Sequence, residues 1–259
     1  MIRNVDKLTD AIRNPRRGSV AVMPYLTAGY PDREAFSTLL CRVGHVADAL
    51  EIGVPFSDPM ADGVTIQESS RLALENGTTL SWILDTLRQT DVGCPFVLMS
   101  YLNPLLAYGL RRLCRDAAAA GASGLIVPDL PWEESAELRA LAEAEGIGVV
   151  QLVTPVTPPD RLRMLCEGSR GFVYAVTVTG VTGVTGVAQA GADRSGLSAY
   201  LDAISSVSPV PVCAGFGIRG ADDVAALAGH ADGAIIGSAV IQELAAGRDA
   251  AAWVRALTT

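Results

Sequence analysis

Three carboxylates crowd one short stretch, Glu51, Asp58 and Asp62 in the run ALEIGVPFSDPMADG. Glu51 lies inside an apolar strand pattern. Its neighbours on the same strand face, Ala49 and Gly53, are small and leave room beside it. A carboxyl in such a place is desolvated and its pKa rises, which suits it to give and take a proton near neutrality. The competing reading is a structural ion pair with an arginine. Asp58 and Asp62 share a loop with Pro55, Pro59 and Gly63. Loop aspartates commonly shape turns, but a second carboxylate near Glu51 would complete an acid–base pair.

A second group of residues suits phosphate. Thr177 to Gly186 reads TVTGVTGVTG, and further on come Gly215-Phe216-Gly217-Ile218 and Gly237-Ser238-Ala239. Each follows an apolar run. Such loops present backbone N–H groups and hydroxyls to phosphate oxygens, and the last precedes a short helix pattern. Three in succession point to a phosphorylated substrate; the alternative is glycines that serve only tight turns. The Gly/Thr loop could also close over a substrate as a lid.

Scarcities narrow the chemistry. Lys7 is the one lysine and lies in an amphipathic helix pattern, so the chain offers no pocket lysine for a Schiff base. The two histidines, His45 and His230, sit at helix ends beside Gly44 and Gly229 and read as capping or solvated side chains. No metal site is expected. Catalysis must then rest on carboxylates, backbone amides and hydroxyls.

The elements that position these residues alternate. Strand patterns fall at Ser19–Leu26, Ala47–Ile52, Phe96–Tyr101, Gly124–Pro128, Gly148–Val153, Gly171–Val176, Val210–Ala214 and Gly233–Ile236. Helix patterns lie between them, including a single one over Leu106–Ala119, and a last helix covers about Asp249–Leu257. Near-continuous apolar strands fit a parallel sheet buried on both faces. Eight such units predict an α/β fold, a (β/α)8 barrel formed as a single domain over residues 1–259, with the site at the C-terminal ends of the strands. An open doubly wound sheet is the runner-up, but the first turn, LTAGYPD, lacks a Gly-rich nucleotide fingerprint.

Composition agrees with a globular enzyme. Of 259 residues, 49% are hydrophobic and 19% charged, which excludes a disordered or collagen-like chain. The formal net charge of −8 argues against nucleic acid as a partner. No stretch reads as a secretion signal or a membrane span. Five cysteines without a C-x-x-C pair fit free thiols in a reducing, cytoplasmic setting.

The run ALEIGVPFSDPMADGVTIQ resembles the signature of the tryptophan synthase alpha subunit family. The resemblance continues through MPYLTAGYPD, LMSYLNPLLAYG, GLIVPDLPWEES, FVYAVTVTGVTG, GFGI and GSAVI, in the family's order and over nearly the whole chain. It implies a (β/α)8 TIM barrel with an extra N-terminal helix, here Asp6–Arg13. It implies cleavage of indole-3-glycerol phosphate to indole and glyceraldehyde 3-phosphate without a cofactor. The expected partner is a PLP-containing beta subunit in an αββα heterotetramer. Carried over residue by residue, Glu51 is the acid–base group. Asp62 holds the indole N–H, and Asp58 belongs to subunit communication. Gly183, Gly217, Gly237 and Ser238 meet the phosphate. Tyr174 and Phe216 line the site, with Tyr101 and Thr182 nearby. Thr182 matches the family's lid threonine, with Thr185 of the repeated VTG as the alternative. Met60 and Val64 depart from the leucine and second proline common in the signature, which bears on coupling to a partner. Other functions consistent with the residues are a stand-alone lyase that releases free indole, a weakly catalytic activator of a beta subunit, and a sugar-phosphate isomerase or epimerase.

Overall fold

The computed structural model describes residues 2–177, 194–215 and 217–258. Eight strands follow one another round a closed parallel barrel: β1 (Ala21–Thr27), β2 (Leu50–Gly53), β3 (Phe96–Met99), β4 (Gly124–Ile126), β5 (Gly148–Val153), β6 (Val173–Val176), β7 (Val212–Gly215) and β8 (Gly233–Ile236). The helices are α1 (Asn4–Arg13), α2 (Arg33–Gly44), α3 (Val64–Glu75), α4 (Leu80–Gln89), α5 (Leu102–Tyr108), α6 (Leu110–Ala119), α7 (Ala136–Ala144), α8 (Pro159–Gly168), α9 (Arg194–Ser205), α10 (Ala221–Ala225), α11 (Ser238–Ala245) and α12 (Ala250–Ala256). The expected barrel with an added N-terminal helix is what forms.

Alternation along the strands makes two cores. Inward residues such as Met23, Ala49, Val97, Ile126, Val150, Phe172, Cys213 and Ile235 fill the barrel, and Leu8 and Ile12 of α1 join that cluster. These two side chains sit at successive turns of α1, one face of an amphipathic helix. Both are fully buried, so truncating either to alanine should cost about 2–5 kcal/mol. Outward residues such as Leu50, Ile52, Leu98, Val149 and Val212 pack beneath the surrounding helices. Both strand faces are therefore apolar, which is why the strands read as continuous runs.

The sequence expectation fails at two places worth noting. The single helix expected over Leu106–Ala119 is two, because Gly109 takes a left-handed φ of 92° and breaks it. The first piece starts earlier, at Leu102, and carries Pro104 in its first turn, where the missing N–H costs nothing. The expected starts of β1 at Ser19 and β2 at Ala47 come too early, since Asp48 lies at the entry of β2. Its carboxylate accepts from Val22 N at 2.7 Å and Arg16 N at 2.6 Å.

Candidate active site

Glu51 stands in the middle of β2, pairs in register with Tyr25 of β1 and Val97 of β3, and is 4% exposed. Strand alternation aims it inward with Ala49, and Gly53 comes next on that face. Its Oε2 is buried with no hydrogen-bond partner among the described residues. Among the described residues no arginine pairs with it, against the ion-pair reading. Burial first, and the charge of Asp62 second, push its pKa up to about 8. A carboxyl in this state holds its proton at neutrality.

Asp62 is half-buried in the loop between β2 and α3. Burial raises its pKa to about 6, eased by the Tyr101 hydroxyl. The pair's environments thus separate their titrations, with Glu51 neutral and Asp62 mostly charged near pH 7. Tyr101 comes just after β3 and is almost fully buried. Its hydroxyl accepts from Ala61 N at 2.8 Å, and its ring packs against Phe56 with centroids 5.3 Å apart. Both contacts hold the loop that carries Asp62. Gln67 of α3 adds a third tie, donating to the carbonyl of Asp62 at 2.8 Å.

Asp58 lies outside this pair. It is exposed and accepts from the Ser57 hydroxyl at 2.5 Å. Met60 and Val64, the two departures from the signature, flank Asp62 and are 71% and 73% exposed.

Tyr174 on β6 is buried and belongs to the barrel-interior cluster, where the charge of Glu51 and burial raise its pKa. Its hydroxyl occupies space that a side chain at Gly215 would need: a Cβ there would lie 2.3 Å from it. Gly53 makes the same concession to Tyr25, with 2.0 Å between a Cβ and the hydroxyl. These two glycines exist to admit tyrosines beside Glu51. Tyr25 was missed by sequence reasoning, since a tyrosine in a strand looks like ordinary β-propensity. Its register with Glu51, and the rise in its pKa from burial and from Asp62, place it in the site.

Gly217 follows β7 with a left-handed φ of 82°, which a side chain would strain. Gly237 follows β8 and is the N-cap of α11, whose first residue is Ser238. No side-chain cap hydrogen bond is made at this helix among the described residues, which leaves its first N–H groups without a capping acceptor. β7 and β8 are paired neighbours, so the two expected phosphate loops adjoin. Thr182, Gly183, Thr185 and Phe216 lie outside the described residues.

The lone lysine, Lys7, is exposed on α1. His45 caps the end of α2 with Nδ1 2.7 Å from the Cys41 carbonyl, whereas His230 lies in the turns beyond α10, with Nδ1 2.8 Å from the Asp202 carboxylate. Among the described residues no cluster of three or more histidine, cysteine or acidic side chains could hold a metal, and no helix is long and apolar enough to cross a membrane.

The family model of the tryptophan synthase alpha chain matches residues 12–258. A tryptophan synthase alpha chain from Geobacter sulfurreducens is 46% identical over 250 residues, covering 92% of this chain and 91% of that relative. A solved tryptophan synthase structure from Mycobacterium tuberculosis superposes with a TM-score of 0.87 at 35% identity, covering all of this chain and 98% of that one. A chain of the tryptophan synthase α2β2 complex from Pyrococcus furiosus superposes with a TM-score of 0.82 at 33% identity, covering 93% and 98%. With the barrel, the paired acids and this span of similarity together, the chain belongs to the tryptophan synthase alpha chain family.

Proposed function

We propose that Glu51 and Asp62 are the groups with which this lyase of tryptophan biosynthesis cleaves indole-3-glycerol phosphate to indole and glyceraldehyde 3-phosphate. The observation that carries the reading is the buried Glu51, whose Oε2 has no hydrogen-bond partner among the described residues and whose pKa burial and Asp62 raise to about 8.

The bond to be broken joins indole C3 to the first carbon of the glycerol chain. Indole C3 is a weak base, so its proton donor must be neutral, positioned and shielded from water. Glu51 gives its proton to C3, and the ring becomes a cation able to accept the bonding electrons. Asp62 accepts the indole N–H and stabilises that positive charge as it develops. The Glu51 carboxylate then takes the proton of the adjacent hydroxyl as the carbon–carbon bond breaks. Glyceraldehyde 3-phosphate leaves with its new aldehyde, indole keeps the electrons, and Glu51 is an acid again. Tyr25 and Tyr174 supply the apolar walls of the ring site. Gly217, Gly237 and Ser238 anchor the phosphate, together with Gly183. Phe216 and Thr182 belong to the same site, the latter as the lid residue.

The residues act within one barrel domain spanning the chain, in the cytoplasm. A beta subunit is the partner. Met60, Val64, Leu106 and Val156, all on segments that follow strands, expose apolar side chains at the mouth where a second protein would receive indole. Asp58 lies on the same loop as Met60 and reports partner binding to the site. A Schiff-base cofactor, PLP, belongs to that partner, since the lysine here stands exposed on α1.

The test is turnover of indole-3-glycerol phosphate by the purified chain and its Glu51→Gln variant. The variant should lose at least about a hundredfold in kcat while keeping its fold. Full turnover by the variant would overturn the assignment.

A further inference from the structure

The Tyr25 ring spans two parts of the site. Alternation along β1 puts Tyr25 on the face it shares with Thr27 and with Met23, which fills the barrel. A Cβ at Gly237, the N-cap of α11 beyond β8, would lie 3.8 Å from the Cβ of Tyr25 and 4.0 Å from its Cγ. At the far end of the ring, a Cβ at Gly53 of β2 would overlap the phenol oxygen. The ring therefore crosses the inner face of β1 from the β8 side to the β2 side, its two sheet neighbours. One end adjoins a loop expected to hold phosphate. The hydroxyl stops two residues past Glu51, where the charges of Asp62 and Glu51 both reach it.

The hydrogen bonds behind that hydroxyl have a fixed direction. Ser69 of α3 donates to the Ile66 carbonyl at 2.8 Å, which uses its one proton. The Thr27 and Ser69 hydroxyls lie 2.6 Å apart, so Thr27 is the donor between them and its own proton is used as well. Thr27 is also the hydroxyl neighbour of Tyr25, and it has only an acceptor left to offer. The phenol proton thus points back toward Thr27. Its oxygen keeps lone pairs for a donor that comes from the site. A row of three hydroxyls ending on a carbonyl is polarised in one sense.

We infer that Tyr25 is a specificity-determining residue, whose hydroxyl accepts a hydrogen bond from the second hydroxyl of the substrate's glycerol chain. The inference rests on the proposed placement of the substrate at Glu51. With the indole at Glu51 and Asp62, and the phosphate at Gly217 and Gly237, the two hydroxyl-bearing carbons between them lie along the Tyr25 ring. The first hydroxyl gives its proton to Glu51 as the carbon–carbon bond breaks. The second keeps its proton, and a neutral phenol oxygen is an acceptor that does not remove it. Holding the second hydroxyl stops rotation about the bond between the two carbons and keeps the first turned toward Glu51.

The test measures kcat/KM for the full chain and its Tyr25→Phe variant on two compounds. One is indole-3-glycerol phosphate, and the other is the analogue with hydrogen in place of the second hydroxyl. The wild-type chain should lose about tenfold on the analogue, the scale of one hydrogen bond between uncharged groups. Tyr25→Phe should lose about tenfold on the full substrate and match the wild type within about twofold on the analogue. Equal use of both compounds by the wild-type chain would overturn the inference, whether or not the variant folds. So would a variant that loses the same factor on both compounds, which is what a purely structural ring gives. Glu51→Gln, measured beside them, should lose turnover of both compounds. If it does while Tyr25 and the second hydroxyl show no coupling, the acid–base reading stands and this inference alone falls.

Discussion

Two buried acids three residues apart in the sequence meet opposite fates. Asp48 stands where the chain enters β2, and Glu51 stands within it. Each is 4% exposed. Asp48 is satisfied, with Val22 N and Arg16 N donating to its two oxygens. Arg16 in turn donates to the carbonyls of Gly44, His45 and Gly93, so one carboxylate and one guanidinium close the N-terminal end of the barrel wall. Among the described residues, Glu51 has an oxygen left unpaired and no arginine that compensates it. The difference is one of purpose. At the plugged end, the carboxylate is hydrogen-bonded by backbone N–H groups and the fold gains from it. At the open end, a buried carboxyl keeps one oxygen without a partner among the described residues, and in the proposed mechanism the substrate uses the proton held there.

Exchanging the two losses is the sharpest way to break this contrast. Asp48→Ala should lower unfolding free energy by roughly 2–4 kcal/mol, since two backbone donors lose their acceptor. Turnover of the folded fraction should stay within a few-fold. Glu51→Gln should do the reverse, removing turnover while unfolding shifts little or upward. Denaturant titration beside a lyase assay checks both. A Glu51→Gln protein as destabilised as Asp48→Ala would mean that Glu51 is structural.

Asp62→Asn comes next. It keeps a hydrogen-bond acceptor for an indole N–H but removes the charge, so kcat should fall about a hundredfold with KM nearly unchanged. Tyr101→Phe is gentler. It leaves Ala61 N without its acceptor and loosens the loop, with about a fivefold loss in kcat/KM.

The last effect is read as a slope, in stability against pH. Both site acids have folded pKa values above their unfolded ones, Glu51 at about 8 and Asp62 at about 6. Between the unfolded and folded values the native state binds more protons, so stability falls as pH rises from the ordinary carboxylate range toward about 8. Glu51 alone contributes a slope of at most about 1.4 kcal/mol per pH unit. Glu51→Gln should flatten that part of the profile.

Much of this was legible in the sequence where the physics is local. A glutamate between small residues in an apolar strand can be read as a poised acid from its neighbours alone, and the alternation of runs fixes the barrel. The Asp58–Asp62 choice was not local. Both are loop aspartates near prolines, and only the fold of the loop under Tyr101 brings Asp62 inward and leaves Asp58 outside. Tyr25 was illegible because its role depends on pairing with β2, a contact across the chain. Asp48 is a polar residue inside a strand pattern, and single-strand periodicity does not tell that backbone N–H groups satisfy it. The helix break at Gly109 is the reverse case, since a glycine inside a helix pattern is a local warning.

The most direct test follows the Glu51 carboxyl itself, by ¹³C NMR of the folded protein labelled at glutamate side-chain carbons and assigned with Glu51→Gln. The expected result is one glutamate carboxyl that stays protonated at pH 7 and titrates near 8. A Glu51 resonance that titrates with the surface glutamates, in the ordinary acid range, would contradict the assignment of this side chain as the proton donor.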